Sequence, residues 1–213
     1  DATRAVTQNW ENAMNSDPEL KRLYEENAGS LFGDSFELKS NLWTPKMLEE
    51  FQARRGYDLT PYLPAIFMEG FYPYYSHTKG ADAASDFNFG TQGTQIREDF
   101  YQTLTELFTE NHVAVIRDWA ITHNMKLRYQ VYGNCMEVTE ASLASDIVET
   151  ESWGHFDNKD MYRTQSGVVH MTGSNIYSTE SSAVKNLGWA QTWAGSHRSD
   201  KELDENGYYW PTD

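Results

Sequence analysis

Cysteine is almost missing from this chain: Cys135 is the only one, which excludes an internal disulfide and the paired thiolates of a zinc ribbon. A lone thiol acts as a nucleophile only with an activating base beside it, and a small buried or loop residue is the simpler reading of Cys135. No run of 18 apolar residues occurs, so nothing reads as a membrane span. Basic residues are scarce, 17 against 32 acidic ones for a net charge of -15. Such a balance argues against a nucleic-acid partner, whose phosphates would be repelled; its ordinary use is solubility. The six histidines (His77, His112, His123, His155, His170, His197) show neither HExxH nor paired Cys/His spacing, so a zinc site has little support. GxGxxG after a strand, Walker A and GxSxG are also absent, leaving dinucleotide, nucleotide and serine-hydrolase chemistry without their signatures. The chain starts at Asp1 with no Met and no signal sequence, as a processed or excised product would.

What is abundant is aromatic and acidic. Seven Trp and thirteen Tyr help bring aromatics to 14%, a share that serves a large core and sugar stacking equally well. With 213 residues one large domain is possible. Residues 1 to 28 read as helix broken at Asp17-Pro18, where Asp17 caps and Pro18 takes the first helical position. A strand follows over roughly 31 to 37. Thr44-Pro45 starts a helix with Met47, Leu48 and Phe51 on its apolar face, stopping at Gly56. Residues 57 to 90 are loose, rich in proline and aromatics; the Tyr72 to Tyr75 cluster suits packing under a loop or a sugar platform. Residues 93 to 124 form one long helix, or two joined near Asn111. Lys126 to Tyr132 alternates as a strand, and a short helical piece surrounds Glu140 to Ala144. A brief strand spans Ile147 and Val148, residues 159 to 171 are helical, and a last strand ends at Glu180. This order predicts an α/β fold with parallel strands. About four strands are too few for a complete eight-stranded barrel of about 250 residues, so residues 1-193 read as part of a (β/α)8 barrel, and 194-213 as a polar, turn-rich tail or its continuation.

Function is carried by acids at strand ends. Asp34-Ser35-Phe36-Glu37, Asp146-Ile147-Val148-Glu149-Thr150-Glu151 and Asn175-Ile176-Tyr177-Ser178-Thr179-Glu180 each run from apolar strand into carboxylate. Parallel strands gather their C-terminal ends at one face, so these acids converge. One such Glu is more often a helix cap or a solvated charge; three together point to a site. A carboxyl pair is what glycosidic cleavage needs, one to protonate the leaving oxygen and one to activate water or attack. Glu37, Glu149, Glu151 and Glu180 supply it. Glu149 and Glu151, on one side of an extended chain, equally suit half of an oxygen-ligand calcium site. Gln130 and Tyr132 are candidate substrate hydrogen-bonders, or the outward face of their strand.

The runs Asp34-Ser35-Phe36-Glu37, Asn41-Leu42-Trp43-Thr44-Pro45, Glu49-Glu50-Phe51, Arg54-Arg55-Gly56-Tyr57-Asp58 and Tyr62-Leu63-Pro64-Ala65 resemble the catalytic-barrel segment of glycoside hydrolase family 106, the α-L-rhamnosidases. Arg128 to Gly133, Asp146 to Glu151 and Ser178 to Glu180 follow in that family's order, so the resemblance covers about 25 to 193. It implies an inverting (β/α)8 enzyme acting on plant or microbial glycans, with Glu37 as general acid and Glu180 as general base. It further implies substrate contacts from Asp34, Trp43, Gln130, Tyr132, Glu149 and Glu151, and a calcium ion held by Glu149 or Glu151. Such enzymes are longer, so further domains of a larger protein are expected partners, and an extracellular or periplasmic setting is expected. The competing reading is a non-catalytic carbohydrate-binding or structural fragment.

Overall fold

The computed structural model describes residues 2–36, 42–66, 89–133, 136–151 and 159–180. Four strands, β1 (Ser30–Gly33), β2 (Lys126–Tyr129), β3 (Ile147–Glu151) and β4 (Tyr177–Glu180), form one sheet in the order β1-β2-β3-β4. Every neighbouring pair is parallel. Helices α1 (Ala2–Asn15) and α2 (Pro18–Asn27) precede the sheet. Helices α3 (Met47–Arg55), α4 (Leu63–Ile66), α5 (Gly90–Phe108) and α6 (Ala114–Thr122) fall between β1 and β2. Helix α7 (Val138–Ser142) joins β2 to β3, and α8 (Lys159–Thr172) joins β3 to β4.

Alternation along each strand separates two faces. Leu127, Tyr129 and Val131, all buried, pack with Phe108, Val113 and Ile116 of the α5–α6 rod, while Val148 and the half-buried Tyr177 meet Val168 and Val169 of α8. A separate helical cluster joins α3 to α5 through Met47, Phe51, Ile96, Phe100 and Leu104. Full burial of a side chain such as Phe51 contributes about 1.5–3 kcal/mol. The opposite strand positions, Phe32, Arg128, Glu149, Ser178 and Glu180, leave the apolar side to the helices. One face is therefore core, and the other carries the polar groups beside Phe32 and Ile147.

Sequence periodicity located most elements, with three instructive differences. The β1 and β2 ladders end at Gly33 and Tyr129, short of the expected 37 and 132, because loops leave the sheet there; bonds from Gln130 N–H to Gly33 C=O (3.0 Å) and from Phe36 N–H to Tyr132 C=O (2.7 Å) still tie the two segments together. Thr44 does not cap α3: Thr44 to Lys46 form a turn in which Met47 N–H donates to Thr44 C=O, and the helix starts at Met47. The rod over 90–122 is continuous, but Thr109–Val113 forms a π-helical turn at the expected join near Asn111. Asp17 does cap α2, accepting from the N–H groups of Glu19 (2.9 Å) and Leu20 (3.2 Å). The Tyr72 to Tyr75 cluster, Cys135 and the 194-213 tail lie outside the described residues.

Candidate active site

The polar face is a connected network at the C-terminal ends of β2, β3 and β4. Register pairs Glu149 with Ser178 and Glu151 with Glu180. Glu149, 1% exposed, is a buried carboxylate, and such a group persists only if its oxygens are satisfied. Its Oε2 accepts from Arg128 Nη1 (2.5 Å) and from Ser178 Oγ (2.6 Å). Its Oε1 accepts from Gln130 Nε2 at 3.2 Å. Gln130, fully buried just past β2, turns its other amide hydrogen toward Glu180 Oε2 at 2.9 Å. One amide nitrogen thus sits between two carboxylates, while the buried Gln130 Oε1 has no hydrogen-bond partner among the described residues. The Arg128 guanidinium carbon lies 4.4 Å from the centre of the Phe32 ring, a cation–π contact that links β1 to the network.

The first loop approaches the same end of the sheet. Gly33 crosses the ring of Tyr129 so closely that a Cβ would lie 2.3 Å from ring carbons. Gly133, at φ +102°, lets the backbone of Phe36 pass where a Cβ would come within 3.0 Å. Phe36 also lays its ring on Phe108 and on His112 of the π-helical turn, with ring centres 5.0 and 5.3 Å apart. Burial depresses the His112 pKa. Its Nε2 pairs with the Tyr129 hydroxyl at 2.8 Å, whose own pKa is raised by burial and then by the nearby Asp34 charge. Three layers of contact therefore hold Phe36, the residue before Glu37. Glu37 itself lies outside the described residues.

The expected site residues divide accordingly. Gln130, Glu149 and Glu180 are brought together by direct bonds. Asp34 stands exposed past the end of β1, accepting from Ser35 N–H at 2.8 Å. Tyr132 is buried, with its carbonyl receiving Phe36 N–H. Trp43 is exposed and stacks on Phe100 of α5, with ring centres 6.3 Å apart, a place in the helical layer. Glu151 belongs to β3, but its side chain lies outside what is described. Asp146 serves the other end of the sheet, accepting from Leu127 N–H (2.9 Å) and Arg117 Nε (2.7 Å). Arg128 and Ser178 were not singled out from the sequence, although a signal was there: each sits two residues before a candidate, on the same face of its strand.

The donor set at Glu149 does not fit the calcium implied by resemblance. Both its oxygens are taken, and a guanidinium at 2.5 Å repels a divalent cation at the same carboxylate. Among the described residues, no three His, Cys, Asp or Glu side chains gather as a metal site. No helix among them is long and apolar enough to cross a membrane.

Known proteins match this chain in sequence and in fold. A sequence model of the family described as alpha-L-rhamnosidase matches residues 21–204. A Formosa agariphila protein named "Putative beta-glucuronidase" is 28% identical over 189 residues, which cover 84% of this chain and 14% of that protein. A solved rhamnosidase from Novosphingobium sp. PP1Y superposes with a TM-score of 0.56 at 22% identity, covering 84% of this chain and 17% of the other. At that identity the likeness speaks for the fold. The chain spans about one seventh of the length of the curated relative it matches.

Proposed function

Because the chain belongs to the α-L-rhamnosidase family of glycoside hydrolases, we propose that the protein containing it hydrolyses α-L-rhamnosidic bonds of plant or microbial glycans with inversion. The observation that carries this reading is the contact between Gln130 and Glu180. It fixes a strand-end carboxylate on the polar face of a parallel sheet, the place where barrel enzymes keep their catalytic groups. Glu180 is the general base. Gln130 occupies its Oε2, and Oε1, with no described partner, is left to orient water. Water oxygen attacks the anomeric carbon and gives its proton to Glu180, while Glu37 protonates the departing glycosidic oxygen. The two carboxyl groups then need about 6.5–9.5 Å between them to admit the water. Asp34, exposed at the mouth of β1, is a hydrogen-bond acceptor for sugar hydroxyls, and Glu151, at the end of β3, is a further proposed sugar contact. No step runs through calcium.

The fold proposal is half of a (β/α)8 barrel. In closed barrels interior layers are built from alternate strands, and Gln130 and Glu180 follow β2 and end β4, two strands apart. The remaining strands would extend from the β1 and β4 edges, supplied by the longer protein that the relatives' lengths imply. An extracellular or periplasmic location belongs to this proposal.

Glu180→Gln in the full-length protein tests the base. Loss of a general base lowers kcat by about 10²–10⁴-fold, with KM near wild type. Glu37→Gln should cost as much on a natural glycoside and little on an activated aryl rhamnoside, whose leaving group needs no proton. Near-normal rates for both variants on the natural glycoside would remove this pair from the chemistry and favour the carbohydrate-binding alternative.

A further inference from the structure

Arg128 reaches no substrate role through the reading above, yet the network depends on it. Its Nη1 is shared between Glu149 Oε2 (2.5 Å) and Ser178 Oγ (3.2 Å), and its plane rests on Phe32. Arg128 is partly exposed, with 32% of its side chain accessible against 1% for Glu149. A charge-assisted bond from one side, with Ser178 on the same oxygen, fills Glu149 Oε2 and leaves Oε1 facing Gln130. Gln130 has a choice of two orientations, since its amide can present nitrogen or oxygen to its neighbours. With a Glu149 oxygen on one side and a Glu180 oxygen on the other, the amide presents its nitrogen to both. One of its two hydrogens must then go to Glu180.

We propose that Arg128 is a positioning residue for the general base, acting on Glu180 through Glu149 and the Gln130 amide. The proposal rests on the assignment of Glu180 as base. Arg128 touches neither water nor sugar in it. Its guanidinium orients Glu149, Glu149 orients the amide, and the amide fixes the carboxylate that aims the attacking water. Positioning of this kind appears in kcat, because a base turned away from its water still lets the sugar bind. Simple neutralisation of a buried Glu149 would instead appear in stability, with Glu180 chemistry unchanged in whatever protein folds.

The experiment is a double-mutant cycle in the full-length enzyme. R128M keeps the aliphatic stem over Phe32, Q130M removes the amide, and R128K keeps a charge and a donor without the planar fork. For each, kcat, KM and melting temperature are measured on a natural rhamnoside, with E180Q as reference. The expected result is a kcat loss of about 10- to 100-fold for R128M at near-constant KM, partial recovery in R128K, and a double variant R128M/Q130M no slower than Q130M. Additive losses in the double variant would overturn the proposal, since Arg128 would then act by another route. So would a change confined to KM, which would make Arg128 a sugar ligand, or an unchanged kcat with a lowered melting temperature. If R128M fails to fold, R128K decides alone: a several-fold fall in kcat at wild-type melting temperature supports positioning, and an unchanged kcat overturns it. An active E180Q defeats the base assignment itself. An inactive E180Q beside a fully active R128M defeats only the positioning role.

Discussion

Gln130 Nε2 lies 2.9 Å from Glu180 Oε2, joining residues fifty positions apart that follow β2 and end β4. Adjacent strands are about 4.8 Å apart, so this bond spans the whole width of β3. It does so because the Gln130 side chain leans over the intervening strand and its amide nitrogen donates to both Glu149 and Glu180.

The crossing of β1 and β2 makes its own demand on sequence. Gly33→Ala would push a methyl to 2.3 Å from the Tyr129 ring, which is wedged against Phe108 and His112 and has no room to retreat. Overpacking at such a site costs typically about 1–3 kcal/mol. The melting temperature of G33A should fall by several degrees, and kcat should fall with it because Asp34 and Phe36 follow directly. A variant as stable and active as wild type would mean that the Tyr129 ring swings freely.

His112 should make the fold acid-sensitive in a particular window. Burial lowers its folded pKa below the ordinary 6.5, so between those two values the unfolded chain binds the extra proton. Stability then falls as pH drops below about 6.5 and levels off below the folded pKa. His112→Asn should flatten the melting-temperature profile between pH 7.5 and 5.5 relative to wild type, whatever it does to absolute stability. Parallel profiles for the two proteins would show that His112 takes up its proton without cost in the fold.

A calcium titration tests the role of Glu149. With Arg128 and Gln130 on its oxygens, Glu149 is engaged as an ion-pair partner, and Glu149→Gln should leave the calcium affinity of the full-length protein within about twofold by isothermal titration. A loss of tenfold, about 1.4 kcal/mol, would place Glu149 in the coordination shell and require Arg128 to move aside.

Much of the fold was legible in residue order. Periodicity decided the helices, because apolar stripes such as Ile96, Phe100 and Leu104 admit one spacing only, and Asp17-Pro18 marked a helix start through local chemistry alone. The alternation of strands with helices dictated parallel pairing, the strand-then-acid pattern pointed to Glu149 and Glu180, and the polar end of an alternating strand pointed to Gln130 before any contact was known. What stayed hidden was every fact set by through-space partners. Trp43 reads the same in sequence whether it lines a cleft or stacks on Phe100, because an indole suits both. Glu149 reads as a ligand, a catalyst or an ion-pair partner until Arg128 is seen on its oxygen. Local sequence determines the backbone's period and the side of the strand on which each group stands; which carboxylate is neutralised, and which is left facing solvent, is decided by neighbours twenty to fifty residues away, and only the tertiary structure brings those within a hydrogen bond.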